Sequence, residues 1–438
     1  MDAEAGTPLL GAHSFGLRAT FAAPLAALLG VVLALLAVFG EYSSELHDAH
    51  VARYYSFLTD VYCMIFLGFG MLMTFLRRYS LSAVALNMVL SAVVMLLALL
   101  CCGWAQQGWG TVAIDLPLLT DAAFAAGAAM ISFGALLGKA TPAQLLGVLA
   151  LQAPLYAATA QLVAGRWAVL DVGGSITIHA FGAFYGLAAS AFLSPPGGAG
   201  AGGAHPKNGA SRASDLTAML GTLFLFIYWP SFNSALASSD PGASAQQQQA
   251  LAVLNTALAL LGACCAAFAA SPFCTPGGVL DMVHVQNATL AGGVAIGSAA
   301  NLAIPPAAAL GLGALAGALS VAGYAAASPA LDRLGVTDTC GVLNLHGMPG
   351  ALGGLASALF AALWGGRAAN APLIAHGARQ PLVQLAGLGA ALGAALAGGA
   401  AAGFAASKLD PAHQALTEGE LFEDAPLWHL GEEEGKEE

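Results

Sequence analysis

Charge is what this chain has least of. Only 8% of its 438 residues are Asp, Glu, Lys or Arg, about a third of the roughly 25% that a water-soluble domain carries. That is too little to cover a water-facing surface, which excludes a soluble enzyme and a large catalytic domain outside a membrane. Basic residues are the scarcer sign, 13 against 24 acidic for a net charge of −11, so no nucleic-acid partner is expected. The seven cysteines (Cys63, Cys101, Cys102, Cys264, Cys265, Cys274, Cys340) lie mostly inside apolar runs and show no CxxC or Cys/His metal spacing. They read as small packing residues, and neither a metal nor a cofactor is expected. The apolar runs also lack an HExxH motif, a paired catalytic Asp and a Ser/Lys dyad, so the chain is not read as an enzyme. A cleavable leader is not expected, because the first apolar run follows an acidic start, MDAEAG, and many more runs come after it.

What the chain has in abundance is apolar surface: 58% of residues, with 55 glycines. A helix crosses the hydrocarbon core with about 20 apolar residues. Reading apolar stretches between charged or Pro/Gly-rich breaks gives twelve spans, at 20–39, 57–76, 81–102, 120–138, 143–164, 174–194, 215–236, 249–271, 281–300, 304–326, 340–364 and 380–406. The expectation is therefore an all-α polytopic membrane protein lying in a lipid bilayer. An even count puts both termini on one side. With that side cytoplasmic, Arg18, Arg77, Arg78, Lys139, Lys207, Arg212, Arg333, Lys408 and Lys436 fall inside, against Arg53, Arg166, Arg367 and Arg379 outside, as the positive-inside rule requires.

The domain scheme follows from the spans. Residues 1–56 hold the cytoplasmic N-terminus, the first helix and an external loop. Two five-helix units, 57–194 and 215–364, are joined by a Gly/Pro/Ser-rich cytoplasmic linker at 195–214. A last helix at 380–406 leads to an acidic, solvated and flexible tail at 407–438. The segment 240–250 (DPGASAQQQQA) reads as an external disordered loop. The one N-x-S/T sequon, Asn287-Ala288-Thr289, falls inside a span, so the first external loop reads as unglycosylated. Small-xxx-small pairs at Gly134/Gly138, Gly182/Gly186, Gly293/Gly297 and Gly350/Gly354 fit a bundle whose helix backbones approach closely.

Within the spans, one polar pattern occurs twice. Helix six begins DVGGSITIHAFGAFYG and helix eleven DTCGVLNLHGMPGALG. Aligned on the acid, Asp171 matches Asp338, Gly174 matches Gly341, His179 matches His346 and Gly186 matches Gly353, 167 residues apart. An odd number of helices per unit forces the second unit to be inverted, an architecture that places a site near the midplane. Eight residues of helix rise about 12 Å, so each His lies well into the membrane from its Asp. Intramembrane ionisable groups are costly and mark function by default. Two neutral imidazoles, each with one donor and one acceptor nitrogen, suit one central pore per protomer for a small neutral polar molecule. A bare cation would lose its water there without enough oxygen ligands in return.

At these residues the sequence resembles the Rh glycoproteins of the ammonium transporter (Amt/Mep/Rh) superfamily. The match runs from about residue 40 to 406 and is carried by FLGFGMLMTFLRRYS (67–80), SFGALLGK (132–139), GGSITIHAFGAFYGL (173–187), MLGTLFLFIYWPSFNSA (219–235), LDMVHVQNATLAGGVAIG (280–297) and DTCGVLNLHGMPGALGGL (338–355). The YWPSFNSA and DMVHVQNATLAGG wording is closer to the Rh branch than to the microbial one. The resemblance implies a homotrimer of twelve-helix protomers in the plasma membrane, each with a hydrophobic pore. The substrate it implies is ammonium or ammonia, with methylammonium and carbon dioxide as further candidates.

The family's twin pore histidines fall on His179 and His346, and its two stacked gate phenyl rings on Phe124 and Phe232. Asp171, the family's acid before the first histidine, and likewise Asp338, either cap a helix or draw ammonium to the mouth. Asp281 and His284 are similar to residues on the cytoplasmic side of the pore, with capping and packing as the rival reading. Phe226 stands where animal relatives often carry Trp. The implied activity is channel-like: ammonium is deprotonated at an external vestibule and neutral ammonia is conducted. Two alternatives stay open at this point: a carbon dioxide channel of the same fold, and a membrane scaffold or ammonium sensor with a closed pore.

Overall fold

The computed structural model describes residues 16–193, 203, 205–237, 243–408 and 416–430. The acidic start, the Gly-rich first part of the linker and Lys436 lie outside the described residues. Among the described residues the chain forms twelve helical passages: α1 (Arg18–Phe39), α2 (Asp48–Phe75), α3 (Ser80–Gln107), α4 (Leu116–Leu136), α5 (Pro142–Arg166), α6 (175–190), α7 (Arg212–Ser234), α8 (Ala243–Cys274), α9 (282–299), α10 (Pro306–Arg333), α11 (Leu343–Trp364) and α12 (Gly377–Ala406). Ten of these, among the described residues, are long and apolar enough to cross a membrane. The other two, α6 and α9, are short or broken, and α9 runs as pieces Met282–Ala288, Ala291–Ile296 and Gly297–Ala299. Such interrupted backbone survives at membrane depth only where protein surrounds it, and residues 284–302 of this stretch are all buried.

Local chemistry sets several helix starts. Asp115 accepts from the Leu118 N–H at 2.8 Å, Thr141 and Gln144 form a reciprocal capping box, and Ser211 with Ser214 does the same for α7. Beyond the spans, β1 (Gly40–Tyr42) pairs in parallel with β2 (Val112–Ile114). The glycine pairs are packing contacts. A Cβ on Gly182 would sit 2.5 Å from the Ala128 carbonyl oxygen, and one on Gly186 2.6 Å from the Ser132 Cα, so α6 lies backbone to backbone against α4. The Ser132 hydroxyl uses that closeness to donate to the Gly182 carbonyl at 2.7 Å.

Three stretches depart from the sequence reading. Helix α2 starts at Asp48, well before 57, because its first turns are polar and project beyond the apolar stretch that hydropathy detects. The Gln-rich segment expected to be a disordered loop is helical from Ala243, since Ala and Gln are good helix formers. Gln249 also ties it to the Ser234 carbonyl at 3.1 Å.

The acidic tail, expected to be solvated, docks over 416–430. Phe422 is fully buried and its N–H donates to the Gly138 carbonyl at 2.7 Å. Gly138 has φ +74, and a Cβ there would lie 2.5 Å from the Phe422 ring, so the seat requires glycine. Asp424 accepts from the Leu81 and Ser82 N–H groups at 2.9 and 2.8 Å and from the Ser82 hydroxyl at 2.5 Å, satisfying orphan donors at the start of α3. Glu423 meets Arg78 at 2.7 Å and Lys207, from the linker, at 3.1 Å. Phe422→Ala should weaken this docking by about 3 kcal/mol. Hydrogen exchange at the Phe422 and Asp424 amides, measured against wild type, checks it; unchanged protection would contradict it.

Candidate pore and its histidine pair

Both histidines sit on a widened helical turn. His179 lies in the segment Ser175–Ala180 and His346 in Leu343–Gly347, each with the i→i+5 bonding of a π-turn, a form that recurs at functional sites. The His179 N–H accordingly bonds the Gly174 carbonyl, five residues back, at 2.9 Å. The turn before each is built alike. Gly174 and Gly341 have φ +68 and +69, which an L side chain adopts only with strain.

The acid three residues before each glycine folds over the helix start. Asp171 accepts from the Ile176 N–H at 3.0 Å, the Thr177 N–H at 2.8 Å, the Thr177 hydroxyl at 2.7 Å and the Ser298 hydroxyl. Asp338 accepts from the Val342 and Leu343 N–H groups at 2.9 and 2.8 Å. Burial pushes both carboxyls above the usual range, and these hydrogen bonds oppose the rise. Both acids therefore cap their helices.

This scaffold brings the two imidazoles together. Nδ1 of His179 lies 3.2 Å from Nδ1 of His346, with the ring planes 8° from parallel and their centroids 5.2 Å apart. One nitrogen must donate and the other accept, so the contact holds one shared proton. Nε2 of His179 is buried without a protein partner, leaving a polar atom available to a small guest.

Aromatic rings enclose the pair. Phe124 and Phe232 meet with centroids 4.6 Å apart, and Phe232 lies 5.9 Å from His179. The two rings are inclined by 51°, so they are tilted rather than stacked in parallel. Trp229 covers His179 at 5.5 Å, and Phe69 covers His346 at 5.9 Å. The sequence reading gave these two no role. Trp229 precedes Phe232 by three residues on one helix, which places both on one face, and that spacing was the available signal. Phe69 had none, being one of several Phe in an apolar run.

On the other side of the pair, a cavity of about 30 Å³ is lined by Phe69, Met130, Ile131, Leu345 and His346, among others. It holds one or two molecules of water size. Phe75, Asn287 and Cys340 line both this cavity and a larger one of about 250 Å³, whose wall includes Tyr324, Asp332, Thr337 and Asp338. Asp281 and His284 are not in that wall. Asp281 caps α9 through the Val283 N–H at 2.8 Å, and His284 stands behind Tyr324, its Nδ1 3.1 Å from the Ser271 hydroxyl and its ring 5.5 Å from the Tyr324 ring.

The arrangement is a single file of aromatic pair, imidazole pair, narrow cavity and wide cavity, with no group of His, Cys, Asp and Glu among the described residues fit to hold a metal. The Ammonium Transporter Family model matches residues 23–410. The chain belongs to this family. It is 43% identical to Ammonium transporter Rh type A of Mus musculus over 327 residues, 74% of this chain and 72% of the relative. To Ammonium transporter Rh type B of Oryctolagus cuniculus the figures are 42% over 397 residues, 88% and 84%. The solved Nitrosomonas europaea Rh50, described as one of the Rhesus protein family of channels, superposes with TM-score 0.74 at 32% identity, covering 89% of this chain and 96% of that one. Saccharomyces cerevisiae Mep2 shares the fold, with TM-score 0.66 at 19% identity, covering 85% and 88%. Kinship to Rh transporters thus rests on sequence as well as on fold.

Proposed function

We propose that this protein conducts ammonia across the plasma membrane, taking ammonium at an external mouth, leaving its proton behind and passing the neutral molecule along the imidazole pair. The observation that carries the reading is the 3.2 Å contact between His179 and His346, set between the Phe124/Phe232 rings and the cavity below His346. The end bearing Arg77, Arg78, Lys139 and Lys207 is assigned to the cytoplasm by the positive-inside rule, which makes the 250 Å³ cavity the inner mouth.

The chemistry follows from desolvation. Ammonium over the Phe124 ring gains about 0.5–2 kcal/mol from cation–π attraction, but the path beyond offers aromatic faces and two neutral imidazoles. Those cannot replace the shell of water oxygens around a cation. Ammonia carries no such cost, and its lone pair and N–H groups match the imidazole donor and acceptor. Three protomers assemble as a homotrimer, each with its own path.

Isotopic flux into proteoliposomes tests the substrate. Labelled ammonia and methylammonium should enter faster than into protein-free vesicles, with labelled carbon dioxide and potassium unaffected. Carbon dioxide flux alone would assign the pore to gas, and no accelerated flux at all would leave a scaffold or sensor.

A further inference from the structure

We propose that the side-chain oxygen of Asn287 is a specificity-determining acceptor on the path: it stands at the neck between the narrow and the wide cavity and takes an N–H bond from the guest that leaves His346. The inner half of the path then favours a molecule that donates hydrogen bonds over one, such as carbon dioxide, that has no hydrogen to donate. The proposal rests on the ammonia-conducting reading above and adds a residue that selects within it.

The sequon Asn287-Ala288-Thr289 gives Asn287 no use inside a span. Its place in the fold does. Asn287 lies on the last turn of the first piece of α9, Met282–Ala288, where the helix breaks. The Thr289 and Leu290 N–H groups both donate to the Asn287 carbonyl, the second at 3.0 Å. Its backbone oxygen is thereby used, and the side chain remains. Discontinuous helices place polar groups at a path in many transporters.

The helix itself orients the amide. Nδ2 donates to the Val283 carbonyl, one turn back, at 2.9 Å. A flipped amide would set two oxygens against each other there, so the nitrogen is fixed on Val283 and Oδ1 is turned away from it. Asn287 is only 7% exposed. Among the described residues, Oδ1 has no protein partner, and it is not one of the sealed polar atoms either. Because Asn287 borders both cavities, the oxygen opens onto the path.

Its neighbours make this oxygen count. Phe75, Asn287 and Cys340 are shared by the walls of the two cavities and so form the neck. Phe75 offers a ring. Cys340 offers a thiol, a weak hydrogen-bonding group, whose sulfur would lie 3.5 Å from a Cβ on Gly134. Apart from His346 and these neck residues, the narrow cavity is walled by Phe, Leu, Met, Ile, Val and Gly. A guest crossing it meets the imidazole of His346 and then the Asn287 oxygen. Beyond the neck the wall turns polar, with Ser328, Asp332, Thr337 and Thr339.

An acceptor at this point acts on one class of guest. Ammonia can give one N–H to Oδ1 and keep its lone pair free. Carbon dioxide has no hydrogen to give and would leave the amide oxygen unpaired, the mismatch by which polar sites reject analogues that lack a donor.

The test uses purified protein in proteoliposomes and two variants of one shape. Asn287→Thr keeps an oxygen, and its hydroxyl can bond the Val283 carbonyl as the Thr289 hydroxyl bonds that of Val285 at 2.8 Å. Asn287→Val has the same shape and no oxygen. Per folded protein, ammonium-driven alkalinisation should be about two- to tenfold slower in Asn287→Val than in Asn287→Thr, the loss expected of one hydrogen bond. Methylammonium entry should slow alike, and protein-dependent carbon dioxide entry should not fall. Equal ammonium rates in the two variants, whether near wild type or far below it, would overturn the proposal. So would a carbon dioxide rate that falls as much as the ammonium rate, which would mean a narrowed neck. Should Asn287→Val fail to fold, Asn287→Leu, which keeps the forked shape of Asn, is compared with wild type, and a wild-type rate there overturns the proposal. If wild-type proteoliposomes show no protein-dependent ammonium flux, the transport reading itself falls, a different result from wild-type flux that is insensitive to the oxygen at Asn287.

Discussion

Replacing His179 and His346 together by Leu should reduce ammonium-driven alkalinisation of proteoliposomes by about ten- to a hundredfold. On the proposed reading each imidazole supplies a buried hydrogen-bonding site for ammonia, and leaving a polar guest unsatisfied in a dry environment costs about 1–3 kcal/mol, where 1.4 kcal/mol is a factor of ten in rate. Leu has a similar volume, so the change removes the polar path while keeping the bundle packed. The effect should be less than additive. Either single substitution already breaks the 3.2 Å contact, and residues in one hydrogen-bonded unit do not contribute independently. Stopped-flow pH recording on the two single variants and the double variant checks this. Wild-type rates in the double variant would remove the imidazole pair from the mechanism.

The second large effect concerns Asp171. Asp171→Ala would leave two backbone N–H groups and two hydroxyls at the start of α6 without their acceptor. At about 1–3 kcal/mol for each buried group left unpaired, the expected loss is on the order of 3 kcal/mol or more. The variant should therefore appear as lost yield and a lowered unfolding midpoint in detergent. Asp171→Asn retains an acceptor oxygen and should keep most of the fold while removing the charge, so its defect should appear as a higher half-saturating ammonium concentration at the outer face. An Asp171→Ala protein as stable as wild type would contradict the capping role that the geometry assigns.

How much of this was legible beforehand depends on the length scale of each signal. Ten of the twelve passages were, because burial in lipid imposes a run of about 20 apolar residues. The bounds of α6, α9 and α12 came out within a few residues of those expected. His179 and His346 were legible because ionisable residues are rare in such runs and these two recur at matching places. Phe69 and Trp229 were not, since an aromatic on an apolar helix looks the same whether it faces lipid, core or an imidazole. Neither was the docked tail. Asp424 and Glu423 read as a solvated charge run until folding places them at the start of α3 and beside Arg78. The choice at Asp171 and Asp338 between capping and recruitment needed the hydrogen bonds themselves. Those bonds show each acid accepting from N–H groups at its helix start.

The central claim is that the molecule crossing between Phe232 and Phe75 is uncharged. The most direct measurement is the internal pH of proteoliposomes loaded with a pH-sensitive dye and mixed rapidly with an isosmotic ammonium salt. Arriving ammonia binds internal protons, so the account predicts a rise in internal pH faster than in protein-free vesicles, abolished in the His179→Leu/His346→Leu protein. Protein-dependent entry of ammonium with no rise in internal pH would mean that the cation itself crosses, and would contradict the account.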